Sequence, residues 1–250
     1  MADETGSVAD AGPASDRPAA DGTGAQQTGL ASILGPIGLV WTVSDLGYYF
    51  LLPALGLASS YNAAPGASTL YYALWVAVAL ALFRHRYRAW KPFENEPSTY
   101  LLLSLSVAAF VLFAAYLLPL LPQASWTQSW SPPEVRIATP WYFLPKSVEI
   151  LFQQLLIVAL VRALSAQQCS LRKIAVCCAA LFGGTHALLA FGGVPLGYVA
   201  RFMVAASAFG LMFPYLLLRV PNGFAYSYVV HWLYYAVTVA MPHIVARQPT

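Results

Sequence analysis

The chain has 250 residues, 59% of them hydrophobic and 9% charged, with a formal net charge of +3 at neutral pH. A soluble domain of this size needs far more charge to cover its surface, and so small and dispersed a basic excess gives nucleic acid no surface to bind. The outside of the fold is therefore predicted to be lipid, around an all-α transmembrane bundle of about seven helices.

The first segment, 1–29, is rich in Ala, Gly, Asp and Thr, with Asp3, Glu4, Asp10, Asp16 and Asp21 against the single base Arg17. It has no apolar period and too little to bury to offset its chain entropy, so a disordered acidic tail is expected. It also lacks the basic-then-apolar order of a signal peptide, and the first span is expected to stay in place as an uncleaved anchor. The bundle is predicted over 30–247. Its apolar runs, each about the length needed to cross ~30 Å of hydrocarbon, place spans at 30–59, 69–83, 100–121, 141–164, 173–191, 196–218 and 224–245. Pro36 and Pro53 interrupt the first span and predict a kinked, tilted or divided helix.

Orientation follows from the bases, because short cytoplasmic loops hold excess Lys and Arg. Arg84, Arg86, Arg88 and Lys91 lie between the second and third spans, and Arg162, Arg172 and Lys173 between the fourth and fifth. With Arg17 and Arg219, nine of the thirteen bases fall on one side, leaving Arg136, Lys146, Arg201 and Arg247 on the other. The N-terminus is predicted to be cytoplasmic and the C-terminus external, in an integral protein of the plasma membrane. The outer loop 122–140 leads into Trp141 and Tyr142 and contains Trp126 and Trp130 beside Pro132 and Pro133, a composition suited to headgroup depth. The three cysteines, Cys169, Cys177 and Cys178, form no paired CxxC motif, and the last two suit packing in an apolar run.

Ionisable residues inside spans carry most of the functional information, since a charge at the bilayer centre costs ~2.5 to 3.5 kcal/mol on insertion scales and is tolerated where it pairs or acts. Asp45, Glu149, His186 and His231 meet that description, with Lys146 near a helix end. Lys146, Glu149 and Gln153 share one helix face. Lys146 and Glu149 can neutralise each other there, or Glu149 can act. Asp45 has Tyr48 and Tyr49 as neighbouring donors, which favours a structural role. Two histidines and a carboxylate on separate spans admit either a single divalent metal such as zinc, or water activated by the carboxylate while a histidine stabilises the oxyanion.

The order and spacing of these residues resemble the CAAX-protease and bacteriocin-processing family of intramembrane endopeptidases. The family's first motif, Glu-Glu-x-x-x-Arg, is matched by Val148-Glu149-Ile150-Leu151-Phe152-Gln153; its second, Phe-x-x-x-His, is intact from Phe182 to His186; its third keeps His231 but has Tyr235 where Asn or Asp is usual. The turn at Arg219-Val220-Pro221-Asn222-Gly223 also resembles the family's approach to the last motif. The likeness covers 141–245, the earlier spans contributing only generic membrane helices.

That resemblance implies an endopeptidase for membrane-associated peptides or proteins, with Glu149, His186 and His231 as catalytic or metal-holding residues and Gln153, Phe182 and Tyr235 in support. The departures matter chemically. Val148 stands where the family has the glutamate held to activate water, and Gln153 where it has an arginine. A noncatalytic relative that binds or escorts a membrane partner is the alternative. A small-molecule carrier using Asp45, Glu149 and the histidines as a proton relay is a third, for which the sequence offers no inverted repeat.

Overall fold

The computed structural model describes residues 29–88, 97–121 and 138–245, so the acidic tail, Lys91, most of the outer loop with Trp126, Trp130 and Arg136, and Arg247 lie outside the described residues. The described residues form helices and turns with no strand. Six helices are long and apolar enough to cross a membrane: α1 (Leu30–Ala54), α2 (Pro65–Leu82), α3 (Tyr100–Leu120), α4 (Pro140–Ala166), α5 (Leu171–Gly192) and α6 (Leu196–Arg219). A seventh, α7 (Gly223–Val245), matches them in length but carries Tyr226, Tyr228, Tyr234, Tyr235, His231 and Trp232. The protein is an integral membrane helical bundle.

α4 is the axis of this bundle. Its membrane window is 72% buried, whereas that of α3 is 6% buried and faces outward along most of its length. A helix with protein on all sides can carry polar groups on more than one face, and α4 does so. Lys146, Glu149 and Gln153 point one way, while Ser147 and Gln154 join α7. There, the indole Nε1 of Trp232 donates to Ser147 Oγ at 3.0 Å, the Tyr228 hydroxyl donates to the Ser147 carbonyl at 3.0 Å, and the Ser227 hydroxyl donates to Gln154 Oε1 at 3.0 Å. Interhelical bonds of this kind in membranes are each worth about 0.6 kcal/mol on average.

Two proline effects shape the site. Pro36 sits within α1 without ending it. Pro53 is preceded by one turn of π-helix, Gly47–Leu51, and Pro119 likewise by Phe113–Leu117. A proline has no N–H to donate and its ring crowds the carbonyl four residues back, so the turn before it widens rather than closing in the usual register. The expected irregularity of the first span is thus a π turn beside Pro53. α5 changes in the opposite sense, tightening from α-helix to a 3-10 helix at His186 and ending at Gly193, whose φ of 74° lies in the left-handed region.

α5 and α6 pack closely through glycines. A Cβ on Gly183 would run into the Ser207 side chain, and one on Gly210 into the backbone of Cys178 and Ala179. Small residues at such crossings let backbones approach and gain dispersion contacts that lipid tails cannot supply. Cys178 is buried at this crossing, in keeping with a packing role.

Candidate functional site

Among the described residues, the helices form a cavity of about 300 Å3, lined by Glu149, Gln153, His186 and Tyr235 together with Asp45 and Lys146. Alternating spans put the C-terminal ends of α1 and α5 and the N-terminal ends of α2, α4 and α6 at one end of the bundle, and the cavity lies there. Ser59 and Tyr61 from the turn after α1, Tyr142 from the start of α4 and Gly193 to Pro195 from the turn before α6 complete its wall.

The carboxylate of Glu149 is held from three sides. Lys146, one turn earlier on α4, pairs with Oε2. The Tyr61 hydroxyl donates to the same oxygen at 2.7 Å, and Gln153 Nε2 donates to Oε1 at 2.9 Å. Tyr61 is in turn 3.0 Å from the hydroxyl of Tyr72 on α2, so a chain of phenols runs from α2 to the carboxylate. Burial, reinforced by the nearby Glu149 charge, pushes the Tyr61 hydroxyl well above its ordinary range and keeps it a donor. An ionised carboxylate offers about four lone-pair positions, and this arrangement uses three.

Lys146 has a second set of partners. Its ammonium lies 4.3 Å from the ring centre of Tyr235, 4.7 Å from that of Tyr61 and 5.6 Å from that of Tyr142. An ammonium over aromatic faces is attracted by their negative quadrupole, by about 2 kcal/mol or more when desolvated. Tyr235, expected from the sequence as a supporting residue in place of the usual Asn or Asp beside the last histidine, is therefore one wall of a cage around the lysine.

His186 stands at the α-to-3-10 transition of α5, its Nδ1 2.7 Å from the Phe182 carbonyl. A carbonyl only accepts, so Nδ1 carries the proton and neutral His186 keeps its lone pair at Nε2. The Phe182 ring contacts both histidines, at 5.0 Å from His186 and 5.5 Å from His231.

His231 is placed differently from the sequence expectation. It does not line the large cavity; it lies among Phe182, Phe209, Phe213 and Tyr235, with Gln154 Nε2 3.4 Å from its Nδ1, and is 2% exposed. It shares with His186 and Tyr235 only a small void of about 10 Å3, near the least that admits one water. Among the described residues, no three His, Cys, Asp or Glu side chains form a group that could hold a metal ion, so the zinc arrangement of Glu149, His186 and His231 is not what the helices present. On α7 it is Tyr235, one turn from His231, that lines the carboxylate's chamber, while His231 packs against the rings of Phe182 and Tyr235.

The earlier spans, read from sequence as generic, and the turn between them supply more than a third of the residues lining the cavity. Asp45, Tyr48, Tyr49 and Tyr72 reach the wall from α1 and α2, and Tyr61 from the turn joining them. The clustering of Tyr48, Tyr49, Tyr61, Tyr71 and Tyr72 was a visible signal, since tyrosines belong at interfaces or where their hydroxyls find a partner. No family model, no curated protein and no solved structure matches the chain.

Proposed function

We propose that the protein is a membrane-embedded binding or escort protein on an endopeptidase-like bundle, whose chamber receives part of a membrane peptide or protein without hydrolysing it. The observation that carries this reading is the occupancy of Glu149. Its carboxylate is ion-paired to Lys146 and bonded to Tyr61 and Gln153, while the position before it, where the resembled family has a second acid, is Val148. A general base must be able to take a proton from water positioned beside it; a carboxylate so engaged is better suited to fixing Lys146 and the shape of the wall. The distribution of bases supports a plasma-membrane orientation with the chamber at the non-cytoplasmic end.

One observation favours the endopeptidase instead. His186 lines the same chamber and, with Nδ1 committed to Phe182, keeps a proton-accepting Nε2. The two readings separate in liposomes containing the full chain and a single-span peptide. Binding predicts that the peptide is retained intact and that Glu149→Gln lowers retention. Cleavage by the wild-type protein, lost in both Glu149→Gln and His186→Ala, overturns the binding reading.

A further inference from the structure

At the end of the bundle opposite the chamber, Arg84–Arg88 forms a short helix directly after the α2 span, at the depth where headgroups begin. It is fastened to α4 at two points one turn apart. The Tyr87 hydroxyl donates to the Leu155 carbonyl at 3.0 Å, and Arg86 Nη1 donates to the Ala159 carbonyl at 3.4 Å. Arg84, His85 and Arg88 stay exposed. Arg86 is instead half-buried between the short helix and α4, its Cζ 5.2 Å from the ring centre of Phe83.

A guanidinium carries five N–H donors in a fixed fork, and the Ala159 carbonyl takes one of those on Arg86. The edge formed by Nε and Nη2 is the one that grips an anion through two parallel bonds. On Arg86 these two nitrogens have no partner among the described residues and are not sealed inside the protein. No carboxylate of the described residues pairs with Arg86 either. Burial lowers its guanidinium from the ordinary value, as it does for any desolvated cation that lacks a counter-ion. A carbonyl and a ring face orient such a group without neutralising it. Beside it, Leu80 and Leu82 are exposed in the last turn of α2, an apolar surface of the kind an acyl chain covers.

We infer that Arg86 seats the phosphate of one anionic phospholipid of the adjacent leaflet, held by Nε and Nη2, with an acyl chain along Leu80 and Leu82. Arg84 and Arg88, one turn apart on the exposed face, attract anionic headgroups to the surface at large. Arg86 fixes one of them in place. The seat does not depend on what the chamber binds.

The test uses the full chain in maltoside micelles, with phosphatidylglycerol or phosphatidylcholine of the same acyl chains, and native mass spectrometry to follow retained lipid. Wild type is expected to hold one phosphatidylglycerol about tenfold more tightly than phosphatidylcholine, whose choline already offsets its phosphate. That ratio should fall to near one in Arg86→Gln and persist in Arg88→Gln, which removes the same charge from the exposed face. Equal losses in the two variants would reveal diffuse attraction and overturn the seat. Equal affinity of the wild type for the two lipids overturns the inference whether or not a variant folds. Complete displacement of phosphatidylglycerol by an equal concentration of inorganic phosphate would make the ligand a free anion and overturn the assignment to lipid.

Discussion

Lys146 and Glu149 are ion-paired across one turn of α4, and the ammonium that makes the pair also lies 4.3 Å from the ring of Tyr235 on α7. One lysine thus joins the carboxylate of one helix to the aromatic wall of another. Removing one member of a buried pair leaves an uncompensated charge, which costs about 3 to 5 kcal/mol, whereas removing both is often close to neutral. Lys146→Met and Glu149→Gln are each expected to destabilise the protein by about that amount, and the double variant by much less than their sum. Unfolding in graded denaturing detergent, followed by far-UV circular dichroism, measures all four; an additive double variant would show that the two side chains are not coupled.

Tyr61 ties the turn after α1 to α4 through its 2.7 Å bond to Glu149. A hydrogen bond to a charged group is worth about 1.5 to 3 kcal/mol, and Tyr61→Phe should lose roughly that while keeping the ring face toward Lys146. The same hydroxyl predicts an alkaline effect. Its folded value is raised, so its contribution is complete below about pH 10, the ordinary tyrosine value, and declines as pH climbs toward the folded value. The difference in stability between wild type and Tyr61→Phe should therefore be constant through neutral pH and shrink above about pH 10; a difference that grows there would contradict the assignment.

The α5–α6 crossing depends on Gly210, where an added methyl meets the backbone of Ala179 and Cys178. Backbone cannot rotate away as a side chain tip can. Gly210→Ala is expected to cost about 1 to 3 kcal/mol, the usual range for overpacking. A control on Gly197, which has open space around its Cα, should be nearly silent. Comparing the thermal inactivation of the two purified variants checks this, and equal midpoints would mean that the crossing yields.

Topology can be read with cysteines introduced into a background lacking Cys169, Cys177 and Cys178. Leu57→Cys, in the turn after α1, should react with an impermeant maleimide added to intact cells, and Gln168→Cys, between α4 and α5, should react only after the membrane is opened. The opposite pattern inverts the orientation and places the chamber on the cytoplasmic side.

The helices were legible in the sequence because crossing hydrocarbon without water forces every backbone group into a helix of nearly fixed length. The predicted span 196–218 corresponds to Leu196–Arg219, and 173–191 to Leu171–Gly192. The fourth span also revealed its polar face, since Lys146, Glu149 and Gln153 are spaced to share one side of a single helix. The sequence admitted mutual neutralisation by Lys146 and Glu149, and the pair is formed.

What the tertiary structure alone decided is which helix faces which. The motifs favoured His231 as a partner of Glu149, but the chamber reaches only as far along α7 as Tyr235, and His231, one turn away on the same face of the helix, lies in an aromatic layer with Gln154. Tyr61 lies 88 positions before Glu149, and no local spacing relates them. In a membrane, a lipid tail is as apolar as a buried leucine, so hydrophobic pattern fixes a helix's length without fixing its rotation. Those rotations are set by close contacts such as Gly210 on Ala179 and by polar bonds such as Trp232 to Ser147, and they turned a residue list into a chamber in which Glu149 already has its partners.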